Sequence, residues 1–219
     1  MPCHSYIFFD SLPSLTSVSK QDFGTYKKVF CDILSNLSEV IVASYATRGF
    51  KRDSYFMLHF TAPDAESIQN CIQSLMNTEL GGHLTINYAL WGLIRPSQYR
   101  TQGPKEEKSF VDGAMKYLIV YPFTKTTEWH LLPFEERKEM MKEHVMVAHK
   151  FSESINQLLL YSYGIDDHEF IVSYQAESLL DFQTLVMELR NTKGRAYTKN
   201  DLPIFMCTYM SLSEILQKL

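Results

Sequence analysis

The sequence predicts an α+β protein of two ferredoxin-like βαββαβ units packed sheet to sheet, an architecture termed a dimeric α+β barrel. Strand-like and helix-like segments follow one another in the same order in each half of the chain. A polar link near 96–113 separates the two halves. Because a βαββαβ sheet has helices on one face only, a second copy can cover the other face. The predicted domains are 1–110, a structural and oligomerisation half, and 111–219, a ligand-binding half.

The first four elements of the N-terminal half are predicted from short apolar runs and from helical spacing. Residues 6–9 form an apolar run typical of a strand, and 20–36 carry apolar residues at helical spacing. The runs 40–45 and 55–60, separated by a turn near Gly49, predict two strands of a hairpin.

The last two elements of this half are a helix and a strand. Thr61 and Asp64 have the spacing of a capping box, and Gly81-Gly82 ends the helix that they open. A strand is predicted from Leu84 to Leu93. The helix has one apolar stripe, formed by Ile68, Cys71, Ile72, Leu75 and Met76.

The C-terminal half repeats this order. Pro133 and the acidic pair Glu135-Glu136 are typical of a helix start, and a turn at 164–168 separates two strands. The predicted strands are 117–121, 155–163, 170–174 and 203–209, and the predicted helices are 134–150 and 178–190.

Composition excludes several classes of protein. With 45% hydrophobic and 21% charged residues and a net charge of −4, the chain is neither a disordered tail nor a nucleic-acid-binding surface. No apolar run approaches the roughly 18 residues that span a bilayer. The four scattered cysteines predict free thiols in the reducing cytoplasm. The 13% aromatic content fits either a rich core or a pocket for a planar apolar ligand.

Two stretches of the C-terminal half differ from ordinary core sequence. In the first, a strand is expected to end at Tyr121-Pro122 and to pass into a loop that carries Lys125 and Trp129. In the second, His144 shares a helix face with methionine and aliphatic residues. Such an imidazole is either a core histidine bonded to a carbonyl or an axial haem ligand.

Three motifs resemble the chlorite dismutase-like haem protein family. They are Tyr121-Pro-Phe-Thr-Lys-Thr-Thr-Glu-Trp, Leu132-Pro-Phe-Glu-Glu-Arg-Lys-Glu-Met-Met-Lys-Glu-His144 and Tyr163-Gly-Ile-Asp-Asp-His-Glu-Phe170. The resemblance covers 115–207, whereas the first half matches mainly in the order of its elements. It implies the duplicated ferredoxin-like fold, a homopentamer and one haem in the C-terminal half of each subunit.

The resemblance also implies the two residues that flank the iron. His144 falls on the proximal histidine of the family, the axial ligand, and Gln157 falls on the distal position thirteen residues later. Chlorite dismutases have an arginine there, whereas a glutamine is similar to many coproheme decarboxylases. A shift of register would turn the neighbouring Asn156 inward instead.

The first motif resembles the Tyr-Pro-x-x-Lys segment of the coproheme decarboxylase branch. The resemblance implies that Tyr121 forms the radical that attacks a propionate and that Lys125 holds or protonates this propionate. It implies a pocket wall for Trp129, which His130 follows where the family has a tyrosine. Arg195 is displaced by one position from a family arginine that contacts a propionate.

Two further matches to the family are placed outside the site. The Asp166-Asp167 pair is assigned to a structural hairpin, and Arg95 to a structural role.

These observations predict a cytoplasmic, peroxide-dependent coproheme decarboxylase that converts iron coproporphyrin III, both cofactor and substrate, into haem b. Its expected partners are coproheme, hydrogen peroxide and further copies of the chain, without nucleic acid or membrane. The alternatives are a chlorite-degrading or peroxidase-like haem enzyme and a non-catalytic haem carrier or sensor.

Overall fold

A computed structural model describes residues 2–99 and 110–219, so that most of the predicted link near 96–113 lies outside the described residues. The strands are β1 (Cys3–Ser11), β2 (Ile41–Ala46), β3 (Phe56–Ala62), β4 (Leu84–Leu93), β5 (Tyr117–Lys125), β6 (Ile155–Tyr161), β7 (Phe170–Ala176), β8 (Thr198–Asn200) and β9 (Phe205–Tyr209). The α-helices are α1 (Lys20–Ser35), α2 (Ala65–Met76), α3 (Thr127–Leu131), α4 (Phe134–His149), α5 (Leu179–Arg190) and α6 (Leu212–Leu216). The predicted α+β class is confirmed.

The chain divides into two compact units. One contains the residues up to Ile94 together with Met206–Leu219, and the other contains the described residues of Arg95–Phe205. Residues near the C-terminus join the first unit because β9 pairs with β2 and α6 packs against α1 and β2. The division into the halves 1–110 and 111–219 stays a prediction. Periodicity identifies the last strand in the sequence, but it does not identify the strand with which it pairs.

In the first unit, β1 lies between β3 and β4, and β2 lies on the outer side of β3, all antiparallel. The elements β1-α1-β2-β3-α2-β4 follow the predicted order. The core of this unit contains stacked aromatic rings such as Phe9 and Phe56, whose centroids are 4.9 Å apart.

The predicted capping box of α2 is wrong. Thr61 lies in β3, and Asp64 is itself the N-cap, its carboxylate accepting a hydrogen bond from the backbone N–H of Ser67 at 2.8 Å. The strand runs to Ala62 and leaves only Pro63 before the cap, so the spacing of Thr61 and Asp64 is coincidental.

In the second unit, β7 lies between β6 and β5, and the end of β5 also pairs with β8, again antiparallel. Helices α4 and α5 pack against one face of this sheet. The apolar cluster between the sheet and the two helices contains Tyr121, Phe123, Ala148, Phe151, Ile155, Leu159, Val172, Tyr174, Ala176, Phe182, Leu185 and Leu189.

Strand β5 is longer than predicted. It does not end at Tyr121-Pro122 but continues to Lys125, with Pro122 opposite Ile171 of β7. A proline is accepted in a strand where its nitrogen is not required to donate to a neighbouring strand. Lys125 is therefore a strand residue instead of a loop residue, which fixes the direction of its side chain.

All four cysteines are free thiols. Within residues 2–99 and 110–219, no helix combines the length and the apolar character needed to cross a bilayer.

Candidate functional site

Tyr121 and Lys125 lie on the same face of β5. Side chains alternate between the two faces of a strand, so residues 121, 123 and 125 point in one direction. Tyr121 and Phe123 belong to the apolar cluster beneath α4 and α5, which places this face on the side of the helices. The structure thus brings the predicted tyrosine and lysine to one surface of the second unit.

Tyr121 is held in an apolar and partly charged environment. Its ring stacks on that of Tyr174 with centroids 6.1 Å apart and an interplanar angle of 28°. Burial raises the pKa of Tyr121 to about 12, a hydrogen bond with Tyr174 lowers it in part, and Asp201 and Arg190 act in opposite directions. The phenol is therefore protonated at neutral pH.

Lys125 is anchored by backbone and side-chain oxygens. Its Nζ donates to the carbonyl of Gly194 at 3.1 Å and to Thr198 Oγ1 at 3.3 Å. Burial lowers the pKa of Lys125 from its ordinary value of 10.5 to about 8, and the nearby carboxylate of Glu169 raises it in part. The ammonium thus changes charge close to neutral pH.

Trp129 lies against Lys125 and is almost wholly buried. The Lys125 Nζ is 4.6 Å from the centre of the indole, a cation–π contact. The indole belongs to α3, whose first turn is capped by Thr126, and it also contacts the ring of Tyr197. These contacts fix the position of the indole.

His130 turns towards Glu169. Its Nε2 is 2.9 Å from one carboxylate oxygen of Glu169, and the other oxygen accepts the backbone N–H of Lys125 at 2.8 Å. Glu169, in the third sequence motif, therefore fastens α3 to the end of β5. The contact with Glu169 gives a structural role to His130, the residue that stands where the family has a tyrosine.

His144 lies on the inner side of α4. The same side of the helix carries Met140, Met141, Val147 and Ala148, which follow the helical spacing of His144. These side chains and His144 are half-buried, and α4 contains no fully buried side chain. Burial lowers the pKa of His144 below its ordinary value of 6.5, and the charge of Lys125 lowers it further. The imidazole is therefore neutral at pH 7, with one ring nitrogen able to bind a metal.

Gln157, and not Asn156, lies on the helix side of β6. Gln157 alternates with Ile155 and Leu159, which both belong to the cluster beneath the helices, and it stands opposite Tyr174 of β7. Asn156 lies on the other face, where its amide contacts Gln175. The alternative register is thereby excluded.

A cluster of charged residues acts on Tyr121, and two of its three members, Arg190 and Asp201, are absent from the sequence predictions. The Asp201 carboxylate accepts from Arg190 at 2.9 Å and from Arg195 at 2.8 Å, and both Arg190 and Asp201 affect the pKa of Tyr121. Two cations share one anion, so the cluster carries a net positive charge. Its members come from α5 and from the segment after it, and no local motif connects them.

Arg195 and the Asp166-Asp167 pair are further candidates named from the sequence. Arg195 belongs to a 3-10 helix at Lys193–Tyr197 and is occupied with Asp201. Asp166 and Asp167 lie in the turn between β6 and β7. The predicted structural role of this pair agrees with that position.

Chemically, the site combines a neutral imidazole, a protonated phenol, a lysine of lowered pKa and an arginine cluster. Among the residues that the structure describes, no three His, Cys, Asp or Glu side chains converge to hold a bare metal ion. The arrangement suits an iron that brings its own equatorial ligands and carries carboxylates at its edge.

Comparison with known proteins finds relatives named coproheme decarboxylase and relatives named chlorite dismutase. The chain is 28% identical to a coproheme decarboxylase of Mycolicibacterium smegmatis over 185 residues, 82% of this chain and 78% of the relative. It is 27% identical to a coproheme decarboxylase of Staphylococcus carnosus over 199 residues, 81% of this chain and 79% of that protein. It is 24% identical to a chlorite dismutase of Ideonella dechloratans, covering 80% of this chain and 64% of the relative.

Solved structures agree with the fold. A chlorite dismutase from Candidatus Nitrospira defluvii superposes with a TM-score of 0.92 at 26% identity, covering 99% of this chain and 94% of the other. The family model for chlorite dismutase matches residues 24–210. The chain therefore belongs to the chlorite dismutase family.

Proposed function

We propose that the protein is a peroxide-dependent coproheme decarboxylase, which binds iron coproporphyrin III and converts it to haem b. The observation that carries the proposal is the placement of Tyr121 and Lys125 on one face of β5, on the side of the helices, where the charge of Arg190 acts on Tyr121. Two relatives named coproheme decarboxylase support the proposal.

His144 is the proposed axial ligand of the iron. A porphyrin supplies four equatorial nitrogens, so the protein needs to add one neutral nitrogen donor. The lowered pKa of His144 keeps its imidazole in that form. The half-buried methionine and aliphatic side chains on the inner side of α4 suit the apolar plane of a porphyrin.

Lys125, Arg190 and Arg195 are the proposed partners of the substrate carboxylates. Coproheme carries four propionates, and charge-assisted hydrogen bonds from lysine or arginine are the strong contacts available to them. Lys125 is carried by β5, and Arg190 and Arg195 belong to the cluster around Asp201. Haem b has only two propionates and needs fewer such contacts.

Tyr121 is the proposed redox residue. When bound, the iron porphyrin activates hydrogen peroxide as an oxidant. Tyr121 gives up one electron and its hydroxyl proton, both consumed as peroxide is reduced to water, and the resulting phenoxyl takes a hydrogen atom from a propionate. The propionate radical then gives its second electron to the remaining oxidising equivalent of the same peroxide, and loss of carbon dioxide leaves a vinyl group. Per propionate, one peroxide and one proton are consumed, and one vinyl, one carbon dioxide and two waters form.

The other residues orient and enclose the substrate. Protonated Lys125 holds the reacting carboxylate until carbon dioxide leaves, and Trp129 forms the wall behind it. Gln157 offers an uncharged hydrogen-bond donor on the distal side.

Gln157 argues against chlorite as the natural substrate. Chlorite dismutases place an arginine at this position, and a neutral amide cannot replace its charge in holding an oxyanion. A peroxidase or a non-catalytic haem carrier would bind the porphyrin at the same site, but neither function requires Tyr121 to be oxidised. In both alternatives the bound porphyrin keeps its propionates, so analysis of the porphyrin after the reaction distinguishes them from a decarboxylase.

The deciding experiment mixes the protein with iron coproporphyrin III and hydrogen peroxide and follows the porphyrin by mass spectrometry. Loss of two carboxyl groups per porphyrin, with formation of haem b, supports the proposal. An unchanged coproheme mass with oxidation of an added phenol supports a peroxidase, and oxygen release from added chlorite supports a chlorite dismutase. The homopentamer and the cytoplasmic location stay predictions.

A further inference from the structure

Tyr174 is a buried phenol directly behind the proposed redox residue. It lies in the middle of β7, opposite Gln157 of β6 and Ile119 of β5, and only 5% of its surface is exposed. Its ring packs between those of Tyr121 and Phe182, with centroid distances of 6.1 Å and 5.3 Å. A phenylalanine would fill the same space, so packing alone does not require the hydroxyl.

The hydroxyl of Tyr174 has its partner in Tyr121. A buried phenol that lacks a hydrogen bond is costly, and tyrosine is accepted inside proteins where its O–H reaches an acceptor. The stacked rings of Tyr174 and Tyr121 bring their hydroxyls into a shared hydrogen bond. Once Tyr121 has lost its proton, only Tyr174 can donate in this bond.

We propose that Tyr174 is a positioning residue for the reacting phenol: its hydroxyl holds the oxygen of Tyr121 while the O–H bond of Tyr121 is broken and restored. A phenol has one donor, and the oxygen of Tyr121 has none left once its hydrogen is lost, so Tyr174 then supplies the donor of the shared bond. This role rests on the proposed function.

The hydrogen bond acts in both states of Tyr121. In the oxidised state, the phenoxyl oxygen has no proton and accepts from Tyr174, which keeps it oriented towards the propionate whose hydrogen atom it takes. When that atom has been transferred, the Tyr121 O–H is restored and the bond with Tyr174 remains. Tyr174 therefore undergoes no net change of protonation or oxidation state during the reaction.

The charged groups on the other sides of Tyr121 do not replace this bond. Asp201 and Arg190 act on the Tyr121 phenol through their charges and with opposite signs. Both are also engaged with each other at 2.9 Å. The neutral donor that fixes the oxygen comes from Tyr174.

The first test uses the protein without porphyrin and tyrosine labelled with ¹³C at Cζ, so that each ring gives one NMR signal. The Tyr121 signal is assigned by its loss in Tyr121→Phe. In Tyr174→Phe, the ring remains and only the donor is lost, so we expect the Tyr121 signal to move. The control Tyr161→Phe removes another phenol oxygen from the same sheet and leaves the signal in place. An unmoved Tyr121 signal in Tyr174→Phe would overturn the proposal.

The wild-type protein gives a second reading that needs no variant. A buried, donating hydroxyl exchanges slowly with water, so the Tyr174 O–H is expected as a resolved proton signal with a cross-peak to the Tyr121 ring. The absence of such a signal would contradict the hydrogen bond.

The catalytic role is tested with coproheme and peroxide. Tyr174→Phe is expected to bind coproheme with unchanged affinity and to release carbon dioxide about threefold to tenfold more slowly, the range for a lost neutral hydrogen bond. An unchanged rate would overturn the positioning role even where NMR detects the bond. If the wild-type protein itself releases no carbon dioxide, the proposed function fails and the catalytic role fails with it, whereas the NMR result on the bond stands.

Discussion

The Nζ atom of Lys125 lies 4.6 Å from the centre of the Trp129 ring while it donates to the carbonyl of Gly194. The lysine is thus held between a backbone oxygen and an indole, in a setting where burial lowers its pKa to about 8. A cation in this position gains a stronger partner when a carboxylate arrives, because charge-assisted hydrogen bonds exceed those to a neutral carbonyl.

Lys125→Ala should therefore weaken coproheme binding more than haem b binding. Only coproheme carries the additional propionates, and a lost hydrogen bond to a charged group costs about 1.5–3 kcal/mol, or about ten- to 150-fold in affinity. Spectroscopic titration with both porphyrins measures the difference. Lys150→Ala, which removes an exposed lysine paired with Glu188, is the matched control. Equal weakening for both porphyrins would assign Lys125 a general structural role.

The affinity for coproheme should depend on pH through Lys125. Below about pH 8 the ammonium is charged in the free protein and ready to bind a carboxylate; above this pH, binding requires the uptake of one proton. Affinity is expected to be constant below pH 8 and to fall by up to about tenfold per pH unit above it. Titrations from pH 6.5 to 9.5 check the profile. A profile that is unchanged in Lys125→Ala would assign the pH effect to another group.

His144→Ala should abolish axial ligation of the iron. No other histidine of α4 lies on its inner side, since His149 is the exposed last residue of the helix. We expect a shifted ferric Soret band and weaker porphyrin binding, with His149→Ala behaving like the wild-type protein. An unaltered spectrum in His144→Ala would refute the assignment of the ligand.

Gln157→Ala should leave coproheme binding nearly intact and slow the reaction with peroxide only modestly. A neutral amide donor provides limited stabilisation of a transition state compared with a charged group. Asn156→Ala, on the opposite face of β6, is the control for strand stability. Stopped-flow mixing with peroxide measures the effect, and complete loss of decarboxylation would show that Gln157 has a larger role. Gln157→Arg is expected to introduce weak chlorite turnover.

Much of the fold was predictable because it depends on local periodicity. Strand β4 and helix α1 follow directly from alternating and helical apolar patterns, and their bounds agree with prediction to within one residue. The pairing of β9 with β2 is a contact between distant segments, and no periodicity encodes it. Short elements such as α3 depend on a single cap at Thr126 and were expected as a loop.

The candidate site was predictable where its residues belong to short motifs. Tyr121, Lys125, Trp129 and His144 were identified through spacing and resemblance. By contrast, Tyr174 and Asp201 lie outside the motifs, and only the pairing of β5 with β7 and the fold of the segment after α5 bring them to Tyr121. Tertiary contacts of this kind have no local sequence signal.

The most direct test of the account is the release of carbon dioxide by Tyr121→Phe. Phenylalanine keeps the ring in the apolar cluster beneath α4 and α5, so the fold and the coproheme spectrum should be retained. The substitution removes only the O–H that the proposed reaction oxidises. We predict a folded variant that binds coproheme with wild-type affinity and releases essentially no carbon dioxide on addition of peroxide. Conversion of coproheme to haem b by this variant at a near wild-type rate would contradict the proposed role of Tyr121 and with it the decarboxylase mechanism.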